Sequence, residues 1–140
     1  MAARSISFVI KAEVKDCQKT RLKFEAQKTM YGGKNIAVGD CIFIFASENE
    51  GGHGLFGRGV VLNAEATPRT EAVRQTPRVT VEVELTKVAK CPLGRTELRS
   101  YRSWVDGRPE TELNFKLYRQ ATNKIVGLSD AARQYLEGFF

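Results

Sequence analysis

Trp104 stands between Arg102 and Asp106, in a stretch that also carries Arg95, Arg99 and Arg108 and shows no apolar periodicity. An aromatic ring ringed by guanidinium groups suits two kinds of contact: the ring stacks on another flat ring, and the cations meet phosphate. Tyr31, Phe45, Phe115 and Tyr118 offer further π faces, and Asn35, Ser47 and Asn114 offer hydrogen-bonding edges. A flipped or single-stranded base needs such a set, flat surfaces for its faces and fixed donors and acceptors for its edge. One stacked base contributes roughly 1–3 kcal/mol, and extracting it from a duplex costs on the order of a few kcal/mol. Two walls therefore win where one barely breaks even, and Trp104 and Tyr31 are the expected pair. Arg95, Arg99, Arg102, Arg119, Lys34 and Lys124 are the expected backbone contacts. Each ring has a second reading as core: Phe43 or Phe45 must point inward whichever way its strand faces, and Phe115 and Tyr118 could be wall or filling.

Other candidates are weaker. Lys15, Lys19 and Lys23 recur every four residues, which a solvated helix face explains. Gly51-Gly52-His53-Gly54 lacks the Gly-Lys-Ser/Thr ending of a phosphate loop and reads as a hairpin connection. Three cysteines, Cys17, Cys41 and Cys91, with His53 as the one histidine, support neither a disulfide framework nor a zinc cluster. No catalytic residue, metal or cofactor is expected, and a thiol hydrolase using His53 is the least favoured reading because nothing local joins it to a cysteine.

The elements that must position these residues read as β-rich. Ser5 to Ala12 opens as a strand of alternating, β-branched residues. Asp16 to Met30 holds no Gly or Pro and pairs Arg21 with Glu25, which suggests a helix capped by Asp16. Tyr31 to Asn35 is a loop, and Val38-Gly39-Asp40 is a turn launching Cys41 to Ala46, apolar on both faces as a fully covered strand is. Leu55 to Ala66 carries Gly57 and Gly59 between apolar residues, a strand that bends or admits another backbone closely. Val79, Val81, Val83 and Leu85 alternate with Thr80, Glu82, Glu84 and Thr86, one face buried and one solvated. Lys124 to Gly127 reads as a last short strand, and Ser129 caps a helix whose Ala132, Tyr135, Leu136 and Phe139 share a face.

Composition sets the class. The 140 residues suit one domain spanning 1–140. Hydrophobic residues at 42% and charged residues at 27% are globular values, and 22 Lys+Arg against 16 Asp+Glu leave a net charge of +6 that favours polyanions. The longest apolar stretch, Cys41 to Ala46, is far short of the roughly 20 residues a spanning helix needs, and the N-terminus carries no apolar leader. A soluble, cytoplasmic protein with no membrane partner is expected.

In order, these segments resemble the EVE domain of the PUA-like superfamily, related to YTH and SRA-type base readers, over nearly the whole chain. Phe8 to Glu13, Val38 to Ser47 and the Gly57 to Ala66 strand carry the resemblance. It implies an α+β, β-rich fold, a PUA-like curved sheet or pseudo-barrel with one or two flanking helices including a C-terminal one. It also implies binding rather than turnover, with DNA or RNA as partner, a modified base in an aromatic pocket, and a monomer or weak dimer. It leaves room for a separate nuclease as a second partner. The chain departs from the family where Lys-Ser-Glu-Pro becomes Lys11-Ala12-Glu13-Val14 and Arg-Leu-Ser-Val becomes Lys124-Ile125-Val126-Gly127. A small-molecule or protein-binding module on the same fold is the alternative.

Overall fold

The computed structural model describes residues 7–15, 20–66, 78–119 and 122–140. Six strands, β1 (Ser7–Ala12), β2 (Arg21–Met30), β3 (Cys41–Ala46), β4 (Gly54–Ala66), β5 (Arg78–Val88) and β6 (Lys124–Leu128), close into a barrel in the order β1-β3-β4-β5-β2-β6. Among the described residues, closure leaves no unpaired sheet edge. Three helices lie outside it: α1 (Arg95–Leu98), α2 (Pro109–Leu117) and α3 (Asp130–Glu137). Short 3-10 turns occupy Gly33–Asn35 and Glu48–Glu50. The expected curved sheet is thus a fully closed barrel, and among the described residues three helices flank it, the last of them C-terminal. Among the described residues no helix is long and apolar enough to cross a membrane.

Two apolar layers share the barrel wall. Phe8, Ile10, Ile42, Ile44, Val61, Val79, Val81, Val83 and Ile125 fill the interior. Val9, Phe43, Phe45 and Val126, on the opposite faces of their strands, pack under Leu98, Leu113, Leu117, Ala132 and Leu136 of the helices. This is why β3 is apolar throughout, and β1 buried throughout and apolar but for Ser7 and Lys11, while β5 alternates: only the former are covered on both sides. Gly59 explains the tight curl of β4, since a Cβ there would stand 2.5 Å from the Glu84 carbonyl oxygen.

The segment expected as a helix from Asp16 to Met30 is instead strand β2 from Arg21; residues 16–19, with Cys17 and Lys19, lie outside the described residues. Leu22 and Phe24 are buried while Arg21, Lys23 and Glu25 are exposed, a period of two that the Arg21/Glu25 spacing of four also fits. At Ala26, with φ 49, β2 bulges against β5. The Ala26 N–H donates to Thr80 Oγ1 at 3.0 Å, and Arg78 Nη1 donates to the Ala26 carbonyl at 3.0 Å. The extra residue reverses the alternation: Thr29 is buried opposite Ile125, while Lys28 and Met30 face outward.

Candidate nucleic-acid interface

The Arg-rich connection between β5 and β6 folds into α1, an irregular segment carrying Trp104, and α2. Asp106 starts α2: its carboxylate accepts the Arg108 N–H and the Thr111 hydroxyl, each at 3.0 Å, and Pro109 takes the first helical position, where no N–H is needed. The backbone hydrogen bond from Arg108, more than anything else, lowers the Asp106 pKa from its ordinary value. Asn114 Nδ2 donates to the Tyr101 carbonyl at 2.9 Å and ties the preceding segment to α2. Arg102 Nε likewise donates to the Arg99 carbonyl at 2.9 Å.

These restraints bring together Arg95, Arg99, Arg102, Trp104, Asn114, Tyr118 and Arg119 around one cleft of ≈ 220 Å³. All seven are among the residues the sequence singles out. A smaller depression of ≈ 40 Å³ adjoins it through Arg119 and is lined by Met30, Tyr31, Phe115, Lys116 and Lys124. Tyr31 reaches it because its turn is pinned: Tyr31 has φ 52, and its carbonyl accepts the Gly127 N–H at 3.1 Å. A Cβ on residue 127 would sit 2.6 Å from that oxygen, so only glycine permits the approach.

The rings do not form the expected two-walled cage. Phe115 lies between Trp104 and Tyr31, with ring centroids 5.2 Å from the first and 5.9 Å from the second. The guanidinium of Arg119 lies over Phe115 at 4.8 Å and over Trp104 at 5.9 Å, and Lys116 lies over Tyr31 at 5.4 Å. The result is a stripe of rings interleaved with cations. Trp104 and Tyr31 remain 42% and 43% exposed, large for aromatic residues held in place by their neighbours. Tyr118 is more enclosed. Its hydroxyl donates to Glu48, with both carboxylate oxygens at 3.0 Å, and Arg95 and Lys11 stand over its ring at 5.8 and 5.0 Å. Burial, then Glu48, pushes the phenol pKa up.

The remaining expected residues are placed differently. Phe45 is fully buried beneath the helices and belongs to the core, because both faces of β3 are covered. Ser47 is buried as well, its hydroxyl without a hydrogen bond among the described residues. Lys124, expected at the surface, is 2% exposed and donates to the Thr122 carbonyl at 2.9 Å. Lys34 and Asn35 are exposed on the 3-10 turn after Tyr31 but line neither depression.

One residue was missed by sequence reasoning: Lys11. It is 0% exposed, and its ammonium makes no hydrogen bond among the described residues. Its signal lay in the alternation of β1, which puts residue 11 on the same face as Val9. Burial lowers its pKa more than nearby Glu48 raises it. His53 is exposed, and no group of three or more His, Cys, Asp or Glu that could hold a metal occurs among the described residues.

The sequence matches no family model and no curated protein. Solved structures do resemble it. The DUF55 domain of human thymocyte nuclear protein 1 superposes with a TM-score of 0.64 at 15% identity, over 94% of this chain and 96% of that one. Human THYN1 protein in complex with DNA containing 5-methylcytosine gives a TM-score of 0.64 at 15% identity, over 96% of each chain. A hypothetical protein from Leishmania major gives 0.58 at 15% identity, over 94% of this chain and 92% of that one. The chain is thus similar in fold to the DUF55 domain over 94% of its length, and at this identity the likeness extends to the fold alone.

Proposed function

We propose that the chain binds nucleic acid through the α1–α2 face, catalyses no reaction there, and reads an unstacked base, modified in preference to plain. The observation that carries this is the convergence of Arg95, Arg99, Arg102 and Arg119 on the cleft that holds Trp104 and Tyr118. Guanidinium forks suit phosphate, and an exposed ring with a cation beside it stacks a base of any kind. The stripe from Tyr31 through Phe115 to Trp104 accommodates successive bases of a single strand on one surface. A solved structure of the same fold holding 5-methylcytosine DNA supports the choice of ligand.

The test is a binding screen over short DNA and RNA oligonucleotides carrying methylated, hydroxymethylated or plain bases, at two salt concentrations. A single-stranded complex meeting four to six phosphates loses affinity with salt at a log–log slope of roughly −0.7 per contact. Trp104→Ala removes discrimination between modified and plain bases, and Arg102→Ala weakens both alike. A tight modified-base complex left intact by Trp104→Ala contradicts the assignment. A salt-insensitive complex transfers the role to a small molecule, for which the separate ≈ 490 Å³ cleft between Ala12–Lys15 and Arg21–Glu25 is large enough.

A further inference from the structure

Trp104 and Val105 are the two corner residues of a turn that the Asp106 N–H closes by donating to the Ser103 carbonyl at 2.9 Å. The turn tops a projection: Arg102 to Arg108 are all exposed, and the buried Leu98 and Thr111 anchor its two ends. The projection is held firmly. Asp106 accepts the Arg108 N–H on one carboxylate oxygen and the Thr111 hydroxyl on the other. Asn114 holds the Tyr101 carbonyl, and Phe115 and Arg119 back the Trp104 ring. Trp104 is thereby kept half open. Val105, next along the chain, is 96% exposed, the most exposed large apolar side chain among the described residues.

A single exposed valine is ordinary on a protein surface. This one differs in its setting. The preceding residue lines the cleft shared by Arg95, Arg99, Arg102 and Arg119, and exposed Arg108 follows in the same projection. An apolar tip thus stands among groups that attract phosphate. Drawing a base out of a duplex costs about as much as one stacking wall returns. The cleft has one open wall of this kind, because Phe115 fills the gap between Trp104 and Tyr31. The balance then turns on the gap that the base leaves behind, and an apolar side chain entering the stack closes it.

We propose that Val105 is a wedge: it enters the stack of duplex DNA and fills the gap left when a base is drawn onto Trp104. This rests on the nucleic-acid reading and adds that the base is taken from a duplex. A groove of duplex DNA admits a projecting element, whereas the bases of a single strand are already open and leave nothing to wedge. Valine suits the task. Its branched Cβ restricts χ1, so little rotamer freedom is lost on insertion. The two corner residues divide the roles: Trp104 receives the base, and Val105 takes its place in the stack.

Binding of a short DNA duplex carrying one 5-methylcytosine, and of the methylated strand alone, is measured for the unaltered chain and for Val105→Ser, Val105→Leu and Arg102→Ala. Val105 is so exposed that its substitution leaves the melting temperature unchanged. The expected result is duplex affinity roughly tenfold lower in Val105→Ser, with single-strand affinity unchanged and Val105→Leu close to the unaltered chain on both. Equal losses on duplex and strand, or no loss on either, overturn the wedge; with Arg102→Ala still weakened, the nucleic-acid reading stands. Binding of the strand with no binding of the duplex likewise overturns the wedge alone. Binding of neither overturns both.

Discussion

On the same outer face of β6, β1 and β3, a few residues separate two opposite environments. At Val126, Val9 and Phe43 the packing under the helices is predominantly apolar, and these three side chains are fully buried. At Lys124, Lys11 and Ser47 the burial is just as deep and the chemistry is reversed. Packing explains the first region completely. It does not explain the second, where the Lys11 ammonium and the Ser47 hydroxyl are buried without a hydrogen bond among the described residues, and that asymmetry marks a place shaped for something other than stability.

Substitutions should therefore act in opposite directions at the two ends. Phe43→Ala empties space between barrel and helices and lowers unfolding free energy by about 3–5 kcal/mol in chemical denaturation. Lys11→Met, which removes a fully buried ammonium without a hydrogen bond among the described residues, raises it by about 1–4 kcal/mol, the behaviour of a buried ionic group replaced by a packed apolar one. If Lys11→Met destabilises like Phe43→Ala, the two ends do not differ in kind.

The comparison extends to the surface. Trp104→Ala costs about 1–3 kcal/mol of oligonucleotide binding by calorimetry and leaves stability nearly unchanged, because the ring is half open to solvent. Stability of the unaltered chain also rises between about pH 8 and about 10. Lys124 holds its proton less tightly folded than unfolded, so the unfolded chain binds more protons in that window. Below it both states are charged and the full penalty is present. Above about 10 the raised Tyr118 pKa turns the trend downward. Lys124→Met flattens the rise in pH-dependent melts. The smallest effect belongs to Arg99→Gln, which reduces the salt slope of binding by about 0.7 if one phosphate is met there.

Much of the barrel was legible beforehand for a physical reason. Strands covered on both faces are apolar throughout, as at Cys41 to Ala46, and strands covered on one face alternate, as at Val79 to Leu85. The stretch from Arg21 to Met30 misled because a four-residue charge spacing suits either element, and the bulge at Ala26 breaks the alternation that would have decided it. The arginine cleft was legible as a cluster, since Arg95, Arg99, Arg102 and Trp104 are close in sequence. The filling of the Trp104–Tyr31 gap by Phe115 was not, because it depends on how α2 packs against β6 and the turn after β2. An alignment of lysines was invisible for the same reason: Lys11, Lys28 and Lys124 are brought into register only when the barrel closes.

Trp104 is the single tryptophan of the chain and lies in the proposed interface, so its fluorescence reports directly on base stacking. Titration with a single-stranded oligonucleotide at rising salt should quench Trp104 emission at low salt, with affinity falling steeply as salt is added. Tight binding by an independent method with unchanged Trp104 emission, or no binding at low salt, would contradict the account.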